Sequence, residues 1–359
     1  MAVEMTSRER VNRMMRREDQ DRIPRADGYW RETVERWRSE GMPENGHVEL
    51  LQPDFGGCGG GSPVPFPGRH DIVEETDDAV VFTDPWGQTI KHFRDRSGAP
   101  QHMGFECDSR EAWEKRIKPR YLEREITVDA RSLTEQFADA RRDNLWVHMN
   151  GLETFEATRR LMGDEITLVA MAEDPEWVVD VSRTYTDIQL KTMDAQLEAG
   201  IEPDGLWIYG DMAYRSATMC SPAMYRELIW PDHKRLVDWA HEHGMWFIFH
   251  TDGDVNAVLD LYLDAGFDCL QPLESKANMD VRKLAPVYGD RLALFGNIDV
   301  MVKGTNDREK IEHEVRTKLE AGMATKGYAY HSDHSVPPTT SWESYKFIME
   351  LVDKHGRYA

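Results

Sequence analysis

A histidine leaving an apolar run, with an aspartate two residues on, is the most chemically suggestive arrangement in this sequence: Phe247-Ile248-Phe249-His250-Thr251-Asp252-Gly253. Both side chains can turn towards one centre, where they suit a metal ion or a protonated base. The spacing alone is a weak motif. A hydrogen-bonded Asp–His pair, with the carboxylate raising the imidazole pKa, accounts for it as well. Two further histidines, His331 and His334, follow Tyr328-Ala329-Tyr330. A zinc site of N and O ligands needs three such groups and one open position. His250, Asp252 and His334 are therefore the candidate metal set.

The same change from apolar to polar recurs along the chain. Asn150 and Glu153 follow Trp146-Val147-His148-Met149, and Gly210 and Asp211 follow Leu206-Trp207-Ile208-Tyr209. Gln271 and Glu274 follow Cys269-Leu270; Gly296, Asn297 and Asp299 follow Leu294-Phe295. Asp333 lies between His331 and His334. Each residue alone is equally explained by capping a helix or bonding a turn. Six ends rich in Asp, His and Asn point instead to one shared site, with Asp211 and Asp252 the most exposed to the capping explanation.

The elements that must carry these residues alternate from residue 145 onward. Short apolar runs (145–149, 206–209, 246–250, 269–272, 292–295, 328–331) read as strands. The stretches between them (175–199, 222–243, 255–265, 308–321) read as helices. This is the rhythm of βα units on a parallel sheet. Six strands exceed what a small α/β domain needs, and the N-terminal third can supply the rest of a closed barrel. In a (β/α)8 barrel the chemistry sits at the carboxyl ends of the strands. The expected architecture is an α/β fold, a single (β/α)8 TIM barrel over 1–359. It carries an N-terminal part (1–144) with a Gly-rich loop at 53–70 and a small inserted β region, then regular βα units over 145–359.

Within the N-terminal part, Thr6 reads as the N-cap of a helix through Val11, Met14 and Met15, whose methionines are for packing. Residues 30–37 read as a short helix, 71–120 as a small antiparallel appendage turning at Asp84-Pro85-Trp86-Gly87, and 121–144 as helical. Five glycines fall within Gly56–Gly61. No GxxxxGK[ST] lysine accompanies them, so this is no phosphate loop. The expectation is a surface loop or a mobile lid over the site.

Composition excludes several classes. The 359 residues carry 44 Lys+Arg against 65 Asp+Glu, a net charge of −21, with 40% hydrophobic residues. That is ample for a core, and the wrong sign for binding nucleic acid or an anionic membrane. No run of about 18 apolar residues is present to span a bilayer. The charged start MAVEMTSRERVNRMMRRE does not suit a secretory leader. The four cysteines form no CxxC pair. A cytoplasmic location is the simplest expectation.

Several segments taken together resemble the uroporphyrinogen decarboxylase superfamily. They are Arg8-Glu9-Arg10-Val11 with Asp21-Arg22-Ile23-Pro24, Ser221-Pro222-Ala223-Met224-Tyr225 with Pro231, and His243-Gly244 with the strand to His250. Towards the end come Phe295-Gly296-Asn297-Ile298-Asp299, Asp333-His334-Ser335-Val336-Pro337-Pro338 and Gly356-Arg357-Tyr358. The resemblance spans nearly the whole chain and implies one barrel with its site at the strand ends. The superfamily holds decarboxylases of a tetrapyrrole and methyltransferases that work with a corrinoid carried by another protein. The Met-Arg-Gln-Ala-Gly-Arg segment of the decarboxylases is absent; the stretch here reads Arg25-Ala26-Asp27-Gly28-Tyr29-Trp30-Arg31. The thiol methyltransferases hold zinc with His-x-Cys and a later Cys, whereas this chain has Asp252 and no Cys near His331–His334. A harder His/Asp/His site, or none, remains.

The resemblance is closest to members tied to O-demethylation of methoxylated aromatics. It implies a methyltransferase acting on a small substrate with a separate corrinoid protein as partner, since the chain has no Asp-x-His-x-x-Gly of its own. It also implies pairing into a homodimer. His250 or His334 would be the general acid or a zinc ligand, with Asp252 and Asp211 orienting them. Asn150, Gln271, Asn297 and His331 would meet the substrate, and Trp30 and Tyr29 would form a wall. The alternative is a cofactor-free decarboxylase or lyase on a small carboxylated substrate, with Arg22, Arg25 or Arg31 binding the carboxylate. A non-catalytic ligand-binding barrel is the third reading.

Overall fold

A computed structural model describes residues 4–95 and 100–358. Residues 1–3, where the leader reading begins, lie outside the described residues, as do 96–99 of the appendage and residue 359.

In chain order the strands are β1 (Phe55–Gly60), β2 (Asp71–Glu75), β3 (Ala79–Thr83), β4 (Gln88–Phe93), β5 (Gln101–Phe105), β6 (Trp146–Leu152) and β7 (Gly205–Tyr209). Then come β8 (Ala213–Tyr214), β9 (Ala217–Thr218), β10 (Trp246–His250), β11 (Cys269–Gln271), β12 (Ala293–Phe295) and β13 (Tyr328–Ala329). Seven of them form a curled parallel sheet in the order β1-β6-β7-β10-β11-β12-β13. Helices cover the outer face, so its strands read as continuous apolar runs; Phe247, Ile248 and Phe249 are all fully buried. Past the last strand, the segment around Arg25 makes a parallel bridge to Tyr330. Ala26 N–H donates to Tyr330 O at 3.0 Å, and Asp54 N–H, just before β1, donates to Arg25 O at 2.9 Å.

β1 corrects the Gly-rich expectation. Residues Phe55–Gly60 are neither loop nor lid but a strand paired in parallel with β6, with a register shift between Gly57 and Gly60. The glycines are there because neighbours come too close for a side chain. A Cβ on Gly60, whose φ is +84°, would lie 1.7 Å from the Asn150 carbonyl oxygen.

Over Asp71–Phe105 the appendage is a four-stranded antiparallel sheet in the order β2-β3-β4-β5, whereas the rest of the expected 71–120 stretch is helical from Arg110. Gln88 and Phe105 seat it beside the helix Thr154–Met162: the Gln88 amide donates to Arg160 O, and the Phe105 ring lies against Gly163. Most helix expectations hold within a few residues, as at Pro175–Glu198 and Arg308–Met323. The 222–243 stretch is broken by a wider turn at Tyr225–Ile229 before the helix Trp230–Glu242. In the 121–144 stretch the helix Lys118–Leu122 ends, and after a break the helix Ala130–Arg142 follows.

The helix Ser7–Arg16 plugs the amino end of the sheet. Thr6 caps it, its hydroxyl accepting Glu9 N–H at 3.1 Å. Val11, Met14 and Met15 pack with Phe55, Trp146, Ile248, Cys269, Ala293, Phe295 and Ala329, all from one face of the strands. Asn12 Oδ1 accepts from the indoles of Trp146 and Trp246, each at 3.1 Å. With that end closed, the next inward positions along the strands face an open cavity at the carboxyl end.

Candidate active site

Side chains alternate faces along a strand. Beyond the inward Trp146 come His148 and Asn150; beyond Ile248 comes His250, beyond Cys269 comes Gln271, and beyond Ala329 comes His331. Together with Trp207 and Tyr209 of β7, these line a cavity of about 520 Å³. Gly28, Trp30, Gly151, Asp252, Pro272, His334 and Ser335 complete its wall. No Lys or Arg is among these lining residues.

At the centre, His250 Nδ1 lies 2.5 Å from Gln271 Oε1. A carbonyl oxygen can only accept, so Nδ1 carries the proton and Nε2 keeps its lone pair. That nitrogen faces Asp211 Oδ1 at 3.9 Å. Asp211, His250 and Asp252 each offer a ligand atom, all within 4.8 Å of one another. Asp252 Oδ1 is buried without a hydrogen-bond partner among the described residues. Burial pushes the Asp252 carboxyl up to about 6; His250 opposes this, and Asp211 and Glu274 add to it. His334 Nε2 faces Asp252 Oδ2 at 4.0 Å, its ring stacked on Trp30 at 5.8 Å between centroids.

The loop that carries Asp252 is held at every step. Thr251 N–H donates to Gln271 O at 2.9 Å. Asp252 N–H donates to Asp211 Oδ1 at 3.0 Å, and Gly253 N–H to Glu274 Oε2 at 2.8 Å. Asp254 N–H donates to Tyr214 O at 2.9 Å, from the β8–β9 hairpin. Asp211 Oδ2 in turn accepts from Tyr209 OH at 2.9 Å. The acid–imidazole group is therefore set before any ligand enters.

Of the residues singled out from the sequence, Trp30, Asn150, His250, Asp252, Gln271, His331 and His334 line the cavity, and Asp211 stands behind His250. Three others lie elsewhere. Tyr29 faces away from Trp30; its hydroxyl meets Tyr345 OH at 2.5 Å, and its ring packs on Trp37 and His47. Arg25 is buried and donates to Asp353 at 2.7 Å. Asn297, at φ +81°, is fully buried. Its amide donates to Leu273 O and Met279 O and accepts Val281 N–H at 2.9 Å, pinning the 273–281 loop. In the candidate metal set, Asp211 takes the place given to His334 as the third group around His250 and Asp252.

The capping explanation holds for Glu153 and Asp299. Glu153 accepts Phe155 and Glu156 N–H, each at 2.7 Å, and Asp299 accepts Met301 N–H at 2.7 Å. His148 and Tyr209 were missed as wall residues. Their signal was alternation: His148 lies two before Asn150, and Tyr209 two after Trp207.

Burial lowers the His148 imidazole to about 4, against weaker opposing hydrogen bonds from Met149 and Asn150. The native state thus holds it neutral while the unfolded chain takes up a proton below pH ~6.5. Its stabilising contribution is present above that pH and lost as pH falls towards 4, about 3 kcal/mol in all. Urea midpoints at neutral pH and near pH 4.5 should therefore converge in His148→Gln relative to the parent. An equal acid loss in both proteins would remove the burial argument.

A family model described as uroporphyrinogen decarboxylase (URO-D) matches residues 156–355, more than half of the chain. The chain belongs to the uroporphyrinogen decarboxylase family. Curated relatives include the uroporphyrinogen decarboxylases of Streptomyces avermitilis, 27% identical, and Streptomyces coelicolor, 26% identical. Each match runs over 191 residues, 52% of this chain, and the chain spans about half (50%) of the length of these relatives. Among solved structures, a methyltransferase from Methanosarcina mazei superposes with a TM-score of 0.64 at 17% identity, covering 98% of this chain and 99% of that one. At that identity the likeness is one of fold. The arginines that could have met a carboxylate are engaged elsewhere. Arg22 is bound to Asp54 at 2.6 Å, Arg25 to Asp353, and Arg31 faces Glu32 and Glu35 at the surface. Among the described residues, no helix is long and apolar enough to cross a membrane.

Proposed function

We propose that this chain is the methyltransferase of a corrinoid-dependent demethylase system. It would move a methyl group from a small methoxylated aromatic substrate to a corrinoid held by a separate protein. The observation that carries the reading is the Asp211–His250–Asp252 group at the strand ends, facing an aromatic-walled cavity with no Lys or Arg in its lining. A substrate with many carboxylates needs cationic partners when buried. The lining supplies no Lys or Arg for them, which favours a substrate with few carboxylates over a tetrapyrrole. The reading takes the segment around Arg25 as the eighth strand of the barrel.

The residues fit a divalent ion. His250 Nε2 is free because Gln271 holds Nδ1, and Asp252 Oδ1 is buried and unpaired. Asp211, His250 and Asp252 would hold it, an N/O set suited to zinc with positions left open. When bound, such an ion supplies Lewis-acid polarisation of the ether oxygen.

The protein's own groups do the rest. Trp30, Trp207 and Tyr209 hold the ring. The methyl–oxygen bond breaks with its electron pair staying on oxygen. A phenolate leaves poorly unless it gains a proton, and His334, half-buried beside Asp252, is placed to give one to that oxygen. The methyl group passes to the acceptor across the open mouth.

The test is methyl transfer from 2-methoxyphenol to reduced free cobalamin, followed by the absorbance change of the acceptor. Turnover is expected, with a loss of about 100-fold or more in His334→Ala and an unchanged circular dichroism spectrum. Carbon dioxide release from a carboxylated substrate, with no corrinoid present, would replace this reading by the lyase.

A further inference from the structure

Asp211 lies two residues past the end of β7, beyond the strand pairing that fixes its neighbours. Two hydrogen bonds tie its loop to the end of β10. Gly210 N–H donates to His250 O at 3.0 Å, and Met212 N–H donates to Thr251 Oγ1 at 3.0 Å. The Asp211 carbonyl is held from another layer. It accepts from Arg159 Nη2 at 2.9 Å, on the helix Thr154–Met162 that follows β6.

That guanidinium has little freedom of its own. Its side chain is 10% exposed and lies over the Phe155 ring at 5.3 Å. Nη1 donates to Asp164 Oδ1 at 3.1 Å. Nη2 is also paired with Glu156, whose other oxygen accepts from Arg160 Nε at 3.0 Å. Nε is buried with no hydrogen-bond partner among the described residues. The helix beneath is fixed at both ends. Glu153 caps its start, and the appendage bears on its finish through Gln88 and Phe105.

A bond to the Asp211 carbonyl fixes the plane of the peptide after Asp211, and with it the direction of the side chain. Oδ1 of that side chain accepts Asp252 N–H at 3.0 Å and stands 3.9 Å from His250 Nε2. A coordinating carboxylate has to be held within about 0.5 Å of its working position. Arg159 is not among the residues that line the cavity, so it meets the site through Asp211.

Resting on the Asp211–His250–Asp252 metal set proposed above, we propose that Arg159 is a positioning residue of that set, holding Asp211 in place for a divalent cation through its main chain. Charge and geometry predict opposite results on its removal. Arg159 is a cation close to a cation site, so losing its charge alone tightens metal binding. Losing the anchor of the Asp211 carbonyl weakens it.

Cobalt(II) is the probe, because its visible absorption reports the geometry of its ligands. The chelator-stripped protein is titrated near neutral pH by calorimetry and by absorbance. Arg159→Met is expected to bind cobalt about tenfold or more weakly than the parent and to shift the visible band, with an unchanged circular dichroism spectrum. Equal or tighter binding overturns the inference and leaves the metal set standing. Weaker binding with an unchanged band shows that Asp211 keeps its place, and overturns it as well. Should Arg159→Met fail to fold, Arg159→Lys decides by the same readings, since it keeps the charge and loses the planar fork that reaches carbonyl and carboxylate together. A parent protein that binds no cobalt removes both the inference and the metal set it rests on.

Discussion

Replacing His250 by alanine is expected to abolish the zinc binding proposed at the strand ends, and replacing Gln271 by leucine to weaken it by about 10–100-fold. The first loss is that of a ligand. The second is more informative, because Gln271 need touch no ion to matter. Its Oε1 accepts the Nδ1 proton of His250 at 2.5 Å, fixing the tautomer that leaves Nε2 a lone pair beside Asp211. Leucine keeps the volume of this 3% exposed side chain and removes that acceptor. The imidazole is then free to flip or to carry its proton on the wrong nitrogen. Zinc per chain after purification without chelators, and calorimetric titration of the stripped protein, measure both effects. Unchanged affinity in Gln271→Leu would mean that the contact does not orient the ligand. Unchanged zinc content in His250→Ala would place the metal elsewhere.

That site was only partly legible in the sequence, for reasons that differ by residue. The run into His250 announced its strand because parallel strands buried on both faces are apolar throughout. His250, Gln271 and His331 share one face of the sheet and so converge. Tyr29 and Trp30 could not both be wall residues. The chain is extended there, Tyr29 bridging Val336 in parallel, so adjacent side chains point opposite ways. Alternation was available and would have chosen between them. Asn297 followed the turn explanation instead, since asparagine tolerates positive φ and its amide can satisfy a loop backbone. The β1 glycines were illegible in principle. Glycine disfavours strands, and what demands it here is the close approach of Asn150 and Leu145, neighbours some ninety residues away in sequence. The role of Asp211 beside His250 was readable as a type of residue at a strand end, but its rank over His334 depended on loop geometry that no spacing encodes.

The largest expected loss of stability lies at the amino end of the parallel sheet. Asp54 is fully buried, one residue before β1. It accepts from Ser7 Oγ at 2.7 Å, Arg10 Nη1 at 2.6 Å, Arg22 Nη1 at 2.6 Å and Arg25 N–H at 2.9 Å. One carboxylate thus ties the plugging helix and the Arg22–Arg25 segment to the sheet. Asp54→Ala leaves the Arg22 guanidinium without its carboxylate and Arg10 with Asp21 as its close partner. Breaking a buried pair on one side costs about 3–5 kcal/mol, because the charge that remains is uncompensated. The cavity lies at the opposite ends of the strands, so turnover per folded molecule is expected to hold. A fall in the urea midpoint worth at least about 3 kcal/mol, with activity retained at low temperature, is the expected pair of results. A loss under about 1 kcal/mol would show that Asp21 and water compensate the arginines. Lost activity in a protein that stays folded would show that the amino-end clamp reaches through the strands to the position of His250.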